Sequence, residues 1–248
     1  MNLWRTGCAL ALVLAALGSS ARGQETPSAA QMCLGANAGI SLGTALPRSA
    51  RRLKAREPLR IVAVGSSSTS GLWVLSADAT YPEILRRELA AQRPESRIEI
   101  VNSGRVGDRI GDTIARFERD VLAHGPDLVI WQLGTNDVTW GGRAAGLRED
   151  VVRGVRTLKS SGEVILMDLQ YAPLVLAAQD TALMQATISQ IARDERVGLF
   201  SRFELMRRSA AAGLPGTALV SWDGLHNSAA GYECIGRALA RAIDAAAR

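Results

Sequence analysis

The sequence predicts an α/β protein of three layers, in which helices cover both faces of a mostly five-stranded parallel sheet. From Leu59 onward, short apolar runs alternate with longer stretches of helical periodicity, and parallel strands require such crossover helices. The chain has 248 residues with 47% hydrophobic content, which suits one core and is too short for two ordinary enzymatic domains. Polar residues also follow several of the apolar runs, at the strand ends where ligands bind in open sheets of this kind.

Each predicted strand is a short apolar run bounded by turn residues. The five strands cover residues 60–64, 97–102, 127–133, 163–169 and 197–200. Helices occupy the intervals and the end of the chain, where Asn227 and Ser228 provide a cap for the last one. These helices are predicted over 81–92, 108–123, 144–160, 178–195, 201–212 and 228–247.

The N-terminal part of the chain differs in composition. Arg5 is followed by an apolar segment from Cys8 to Leu17 and then by small residues, the order found in secretory signal peptides. This segment is well below the roughly 20 residues of a spanning helix, although a retained membrane anchor is the alternative. Residues 24–57 are rich in Ala, Gly, Ser and Pro without a sustained period. We therefore predict a signal peptide over 1–23, an irregular extension over 24–57 and one domain over 58–248, in a periplasmic or secreted protein without a stable membrane span.

The charge of the chain argues against nucleic acid as a partner. Removal of residues 1–23 takes away Arg5 and Arg22 and leaves 27 basic and 24 acidic residues, a formal charge of +3, which is too small to indicate nucleic-acid binding. Five basic residues do cluster ahead of the first strand, where they could contact anionic polymers or lipid head groups or simply form a solvated face. They are Arg48, Arg51, Arg52, Lys54 and Arg56.

Only two cysteines, Cys33 and Cys234, remain after cleavage of the signal peptide. Export to an oxidising compartment favours their pairing, so we predict one disulfide between the N-terminal extension and the last helix. The chain-entropy model gives about 4–5 kcal/mol as an upper figure for the stabilisation by a loop of this size. Two free buried thiols are the alternative.

The segment Asp223–His226 carries the strongest indication of catalysis. It places a carboxylate three positions from one of only two histidines, so that on a tight loop Asp223 can orient one imidazole nitrogen while the other acts as a base. A serine cluster over Gly65–Thr69 follows the first apolar run and supplies a nucleophile at the carboxyl end of a buried strand. The combination predicts a serine hydrolase.

Two further segments follow predicted strands, and each is a weak indication by itself. Gly104–Asp108 is a strand-to-helix turn whose free N–H groups can face a developing anion. Asn136, within Gly134–Asp137, offers an amide at the same edge of the sheet, although an Asx turn that closes a loop is the alternative. The serine cluster itself could instead cradle a phosphate.

Taken in order, these four segments resemble the sequence blocks of the SGNH hydrolases, the superfamily that includes the GDSL esterases and lipases. The resemblance covers the chain from about Leu59 to the C-terminus and implies the flavodoxin-like fold of that superfamily. It also implies that Ser67 is the nucleophile, that His226 removes its proton, and that Asp223 fixes the tautomer of the imidazole.

The same resemblance implies an oxyanion hole, and it contains one departure. The donors would be the backbone N–H groups of Ser67 and Gly107 and the side-chain amide of Asn136. The family usually has aspartate before the nucleophile, whereas this chain has Ser66, which predicts a different loop geometry or substrate preference with the three catalytic positions intact. The pattern is not a Gly-x-Ser-x-Gly elbow, because Thr69 occupies its final position.

Several other polar and aromatic residues are candidates for substrate contact. Trp73, Trp140 and Trp222 fall on predicted loops near the site and could form a platform for a sugar or acyl group, with core or rim packing as the alternative. Gln170 follows the fourth strand and faces the same edge, although a glutamine there could equally hold a loop in place. Neither Cys nor His residues cluster in the sequence, so no metal or other cofactor is expected.

We therefore predict an exported serine esterase that hydrolyses a small acyl ester, acetyl in particular, of a carbohydrate or other envelope substrate. The chain lacks a long apolar insertion that could serve as a lipid-binding lid, which favours a small acyl group. A lysophospholipase, a thioesterase or an acyltransferase would use the same three residues and remain alternatives. A catalytically silent carbohydrate-binding module is a further alternative, suggested by the tryptophans and by Ser66.

Overall fold

The computed structural model describes residues 27–140 and 144–248, so the predicted signal peptide lies outside the described residues. Five parallel strands form one sheet in the order β2-β1-β3-β4-β5. This is the flavodoxin-like strand order, and the predicted fold class is confirmed. The strands are β1 (Leu59–Gly65), β2 (Ile98–Gly104), β3 (Leu128–Gln132), β4 (Glu163–Met167) and β5 (Gly198–Phe200).

Helices cover both faces of this sheet. The helices are α1 (Ala29–Ala36), α2 (Pro47–Lys54), α3 (Ser67–Ser70), α4 (Tyr81–Gln92), α5 (Ile110–Ala115), α6 (Phe117–Asp120), α7 (Thr135–Thr139), α8 (Leu147–Lys159), α9 (Pro173–Leu176), α10 (Thr181–Asp194), α11 (Arg202–Ala211), α12 (Gly216–Leu219) and α13 (Ala229–Ala246). Short 3-10 helices lie at Ala77–Ala79 and Leu122–His124. One group packs α13 against α4 and α1, and another packs α8 against α5 and α10.

The two central strands, β1 and β3, determine where the site lies. Every residue of β3 is buried, and only Arg60 of β1 is exposed, which explains why both read as continuous apolar runs. The strands are paired so that Val64 lies opposite Trp131. Their carboxyl ends, Gly65 and Gln132, therefore meet at one edge of the sheet.

The extension predicted to be irregular contains helix α1, which corrects that expectation. Ser28 and Gln31 form a capping box, in which each side chain accepts a hydrogen bond from the other residue's backbone N–H. The helix then buries Cys33 and Leu34 and packs against α13 and α11. The capping box is a local sequence signal, and packing against α13 and α11 stabilises a helix of only eight residues.

Helix α2 also lies within the predicted irregular extension, and its cap comes from a distant strand. The Glu163 carboxylate accepts hydrogen bonds from the backbone N–H groups of Arg48 and Ser49 at 2.6 and 2.9 Å, which satisfies free donors of the first turn. Arg48 and Arg52 both form ion pairs with the buried Asp127. Part of the basic cluster therefore attaches α2 to the sheet, whereas Arg51, Lys54 and Arg56 are exposed.

The helix predicted over 108–123 is broken into α5, α6 and a 3-10 turn. At the break, Arg116 turns its side chain inward. Its Nη2 donates to the Gly65 carbonyl at 3.1 Å, and its Nε donates to the Asp108 carboxylate at 2.6 Å. The interruption thus lets one buried arginine connect the end of β1 to the segment that follows β2.

The predicted disulfide is present between Cys33 of α1 and Cys234 of α13, with their Cα atoms 6.1 Å apart. It closes a loop with a sequence separation of 201. Within the described part of the chain, no helix combines the length and the apolar character needed to cross a membrane.

Candidate active site

The serine turn, defined here as Gly65–Ser70, follows β1 and lies between β2 and β3, the two strands that flank β1. A Cβ atom at Gly65 would come within 2.6 Å of Gln132 Oε1, and one at Gly104 of β2 would come within 2.1 Å of the Ser70 nitrogen. The chain can therefore pass this closely only with glycine at both positions. Ser67 begins the single turn of α3 and is 4% exposed.

Gln132, the last residue of β3, holds the serine turn through its side-chain oxygen. Its Oε1 accepts hydrogen bonds from the Ser66 backbone N–H at 2.8 Å, from the Ser66 hydroxyl at 3.0 Å and from the Thr69 hydroxyl at 3.2 Å. The residue that departs from the family pattern, Ser66, therefore donates into the sheet.

The histidine loop, defined here as Ser221–His226, is held largely by its own hydrogen bonds. The Asp223 Oδ1 accepts from the backbone N–H groups of Leu225 and His226, both at 3.0 Å. The Ser221 N–H donates to the His226 carbonyl at 2.7 Å, and Val220 pairs with Asn227 in an isolated antiparallel bridge. The loop therefore closes on itself and presents His226 toward the serine turn.

Ser67, His226 and Asp223 lie in one continuous row of hydrogen bonds. His226 Nε2 is 2.7 Å from Ser67 Oγ, and His226 Nδ1 is 2.5 Å from Asp223 Oδ2. The folded chain thus brings together residues separated by 159 positions. A base between an acid and a hydroxyl is the arrangement that nucleophilic catalysis by serine requires.

Asp223 also accepts a hydrogen bond from the Trp73 indole Nε1 at 2.7 Å. Burial by itself would raise the pKa of Asp223, but the hydrogen bonds from His226, from the Leu225 N–H and from Trp73 outweigh burial and lower this pKa to about 2. Asp223 is consequently ionised at neutral pH and can stabilise a positive charge on His226.

Asn136 lies at the start of α7, at the same edge of the sheet, and is buried. Its Nδ2 donates to the Asp108 carbonyl at 2.9 Å, and its Oδ1 accepts from the Trp140 indole at 3.2 Å. These two contacts define the orientation of the amide and leave the second N–H of Nδ2 available to another acceptor.

Gly107 belongs to the turn that follows β2, where it is exposed with a φ of +88°. The turn is attached to the end of β1, because the Arg105 N–H donates to the Gly65 carbonyl at 2.9 Å. The next residue, Asp108, contacts Asn136. The structure thus gathers the serine turn, the Gly107 turn and the start of α7 at one edge.

Three exposed tryptophans surround this edge. Trp73 is 51%, Trp140 57% and Trp222 82% exposed, and the rings of Trp73 and Trp222 lie 5.3 Å apart at an angle of 58°. Trp73 has a φ of +71°, which is uncommon for a residue with a side chain. Its strained backbone conformation is compatible with the hydrogen bond to Asp223 and the contact with Trp222.

Gln170 does not fit the expectation of a substrate contact. It is 1% exposed, and both ends of its amide are bonded to protein: Nε2 to the Leu225 carbonyl, and Oε1 to the Thr135 hydroxyl and to Arg202. No surface remains for a substrate, and the alternative expectation, that this glutamine holds a loop, describes the structure.

Sequence reasoning missed two buried polar residues behind the site, Gln132 and Arg202. The sequence did contain a signal for Gln132, because a single polar residue ends an otherwise apolar strand. Arg202 had none, because an arginine in the first turn of a predicted helix is ordinarily exposed, whereas this one is fully buried.

Comparison with known proteins gives a family match over most of the chain. The sequence profile of the non-GDSL lipase-like family matches residues 32–248. An acetylxylan esterase of Geobacillus stearothermophilus is 30% identical over 176 residues, which are 62% of this chain and 76% of that enzyme. An arylesterase of Vibrio mimicus is 24% identical over 115 residues, which are 46% of this chain and 56% of that protein.

Solved structures share the fold at lower identity. A two-domain esterase active on acetylated mannans, crystallised with mannopentaose, superposes with a TM-score of 0.72 at 21% identity over 84% of this chain. The match spans only 56% of that two-domain protein. The acetylxylan esterase from Geobacillus stearothermophilus superposes with a TM-score of 0.62 at 24% identity, covering 75% of this chain and 94% of that one.

Proposed function

The chain belongs to the non-GDSL lipase-like family, and from this premise we propose that it is an exported esterase that removes small acyl groups, acetyl in particular, from carbohydrates. It is an SGNH-type hydrolase that acts on carboxylic esters, as the sequence predicted. The names of its relatives support the finer proposal, because one acts on acetylxylan and a structural neighbour acts on acetylated mannans.

The observation that carries the proposal is the row of contacts from Ser67 through His226 to Asp223. In the proposed reaction, His226 Nε2 accepts the Ser67 proton while Oγ attacks the ester carbonyl carbon. His226 then gives this proton to the departing sugar hydroxyl as the carbon–oxygen ester bond breaks, which leaves an acyl group on Ser67. Water, deprotonated by His226, attacks the acyl-enzyme and releases the carboxylate and the free serine.

The charge that develops on the carbonyl oxygen requires donors at the same edge. We assign this role to the backbone N–H groups of Ser67 and Gly107 and to the free N–H of Asn136 Nδ2. Support comes from the orientation of Asn136, whose amide is held by Asp108 and Trp140. A donor that is already oriented needs little reorganisation during the reaction.

The rim of the site supports a sugar substrate. Trp73, Trp140 and Trp222 expose indole rings, and aromatic faces pack well against the apolar faces of pyranose rings. Export is supported by the disulfide between Cys33 and Cys234, since disulfides persist in oxidising compartments.

The test is hydrolysis by the purified chain of nitrophenyl esters from acetyl to dodecanoyl, together with acetylated xylan and acetylated mannan. We expect the highest kcat/KM on acetyl esters, release of free acetate from the glycans, and loss of both activities in Ser67→Ala without a change in melting temperature. A phosphonate probe should label Ser67 in the wild type only.

Three outcomes would contradict parts of this proposal. A maximum at long acyl chains would indicate a lipid ester substrate. Activity retained in Ser67→Ala would exclude that serine as the nucleophile. With an unacylated sugar present, acetyl found on the sugar instead of as free acetate would indicate acyl transfer.

A further inference from the structure

Gln170 links two parts of the site that come from different elements. Its Nε2 donates at 3.0 Å to the carbonyl of Leu225, the residue before His226. Its Oε1 accepts at 2.8 Å from the hydroxyl of Thr135, the residue before Asn136. A single buried side chain therefore reaches from the histidine loop to the first turn of α7.

Arg202 determines which end of this amide faces which partner. Its Nη2 donates to Gln170 Oε1 at 2.7 Å. A guanidinium donates hydrogen bonds but cannot accept them, so Gln170 must direct its oxygen to Arg202 and its NH₂ group to Leu225. The reversed amide would place N–H against N–H and oxygen against the Leu225 carbonyl, leaving buried groups unpaired.

The burial of Arg202 is not explained by a simple ion pair. Its Nε and Nη2 donate to the backbone carbonyl of Asp168 at 3.2 and 2.9 Å, whereas the Asp168 carboxylate accepts from the Ser201 hydroxyl and the Phe203 N–H. Burial lowers the pKa of Arg202 to about 10 and raises that of Asp168 to about 6.

Burying a charge in this way opposes folding. A charged donor, however, holds an acceptor oxygen more strongly than a neutral one does. A need to keep the Gln170 amide in one orientation would therefore explain why the charged Arg202 is buried behind it.

We propose that Gln170, oriented by Arg202, is a positioning residue that sets His226 and Asn136 at a fixed separation across the reacting carbonyl. One of these residues moves the proton and the other stabilises the oxyanion, and both must be in place in the same transition state. The inference rests on the proposed function of the site. It adds that the histidine loop and α7 are positioned together through one amide.

The main test compares Gln170→Met, which removes both links at similar volume, with the wild type and with Ser49→Ala. Ser49 is a fully buried hydroxyl bonded to Glu163 at the opposite end of the sheet, so this control removes a buried polar contact far from the site. We expect Gln170→Met to lower kcat about 10- to 100-fold on an acetyl ester with little change in KM, because small displacements of reacting groups are costly. Labelling of Ser67 by the phosphonate should slow in parallel.

A second variant covers the case in which Gln170→Met does not fold. Thr135→Val keeps the shape of the side chain and removes only the hydroxyl that binds Gln170 Oε1. We expect a smaller loss of kcat, about 3- to 10-fold, that disappears in the Asn136→Ala background, since the hydroxyl acts through the placement of Asn136. A merely structural role would give the same loss in both backgrounds.

The outcomes separate this inference from the proposed function. An active wild type whose Gln170→Met or Thr135→Val variant retains full kcat overturns the positioning role alone. A multiplicative effect of Thr135→Val and Asn136→Ala overturns it as well. A wild type that hydrolyses no ester and is not labelled at Ser67 overturns the proposed function itself, and the inference with it.

Discussion

The serine turn and the histidine loop meet at one hydrogen bond, yet they are held in different ways. The serine turn continues directly from β1, is buried, and is bonded to Gln132 of the adjacent strand. The histidine loop follows the short helix α12, exposes Trp222, and does not continue from a strand of the sheet. It is held by its internal hydrogen bonds, by Gln170 and Trp73, and by the Leu174 N–H of α9, which donates to the Gly224 carbonyl at 3.1 Å.

This difference indicates how the molecule divides its tasks. The sheet fixes Ser67, the proposed nucleophile, so that a change beneath the serine turn should reduce both stability and activity. His226 and Asp223, the proposed base and its acid, depend on a few groups that reach the loop from elsewhere. Changes to Gln170 or Trp73 should reduce activity more than they reduce stability, because Leu225 alone of the histidine loop belongs to the core.

The largest effect that sharpens this comparison is expected for Asp223→Asn. The amide would direct an N–H toward His226 Nδ1 and favour the wrong tautomer, so kcat on an acetyl ester should fall about 10⁴-fold. Asp150→Asn, on the surface of α8, is a suitable control for the loss of one carboxylate. A loss of less than tenfold would show that His226 works without this acid.

The same variant tests the electrostatics of the loop through its stability in acid. The pKa of Asp223 is lowered to about 2 from an ordinary 3.8, so its ionisation adds about 2 kcal/mol to the free energy of unfolding above pH 4. That contribution is lost as the pH falls from about 4 toward 2. In urea titrations, the stability difference between wild type and Asp223→Asn should be constant above pH 4 and shrink below it.

Asn136→Ala should give the second largest effect. Removing one oxyanion donor typically lowers kcat about 10²- to 10³-fold, and KM should change little because the ground-state carbonyl is bound less strongly than the oxyanion. Steady-state kinetics on an acetyl ester checks both parameters. A change confined to KM would mean that Asn136 binds substrate without stabilising the transition state.

Gln132→Met addresses the serine turn. It leaves the Ser66 N–H without its partner in a buried position, so the free energy of unfolding should fall by about 2–3 kcal/mol, and kcat should fall about tenfold as Ser67 shifts. Chemical denaturation and kinetics measure the two effects. Unchanged stability would show that the turn does not depend on the adjacent strand.

Trp73→Phe should have the smallest effect on kcat. Unlike Gln132→Met, it should lower activity more than stability. It removes one hydrogen bond to the Asp223 carboxylate, and kcat on nitrophenyl acetate should fall about fivefold with only a small loss of melting temperature. An unchanged kcat with a lower melting temperature would show that the indole stabilises the fold and does not orient Asp223. The contrast between the serine turn and the histidine loop would then not hold for Trp73.

The sheet and the long helices were predictable because burial leaves a pattern in the sequence: an apolar run in a fully buried strand and a helical period in a half-buried helix. β1 and β3 are covered on both faces and read as apolar runs, and α4, α8, α10, α11 and α13 lie close to their predicted ranges. Ser67, Asn136, Asp223 and His226 were singled out by their positions after strands, by the spacing of the last pair and by the resemblance to the SGNH hydrolases. Their catalytic roles stay predictions.

The parts of the fold that the sequence did not predict depend on contacts between residues far apart in the chain. Helix α2 takes its cap from Glu163, and the break between α5 and α6 accompanies the inward turn of Arg116 toward Gly65. Arg202 is buried against Asp168 and Gln170, and the sequence of its own helix does not reveal these contacts. Helix α1 is different, since its Ser28 and Gln31 box was present in the sequence as a local signal.

The bond between Cys33 and Cys234 has a consequence for the integrity of the site. The two cysteines flank both Ser67 and His226 along the chain. A protease that cuts any surface loop between those two residues would produce one fragment with the serine and another with the histidine, and the fragments would stay covalently joined. A chain nicked in this way would keep Ser67 and His226 in one molecule.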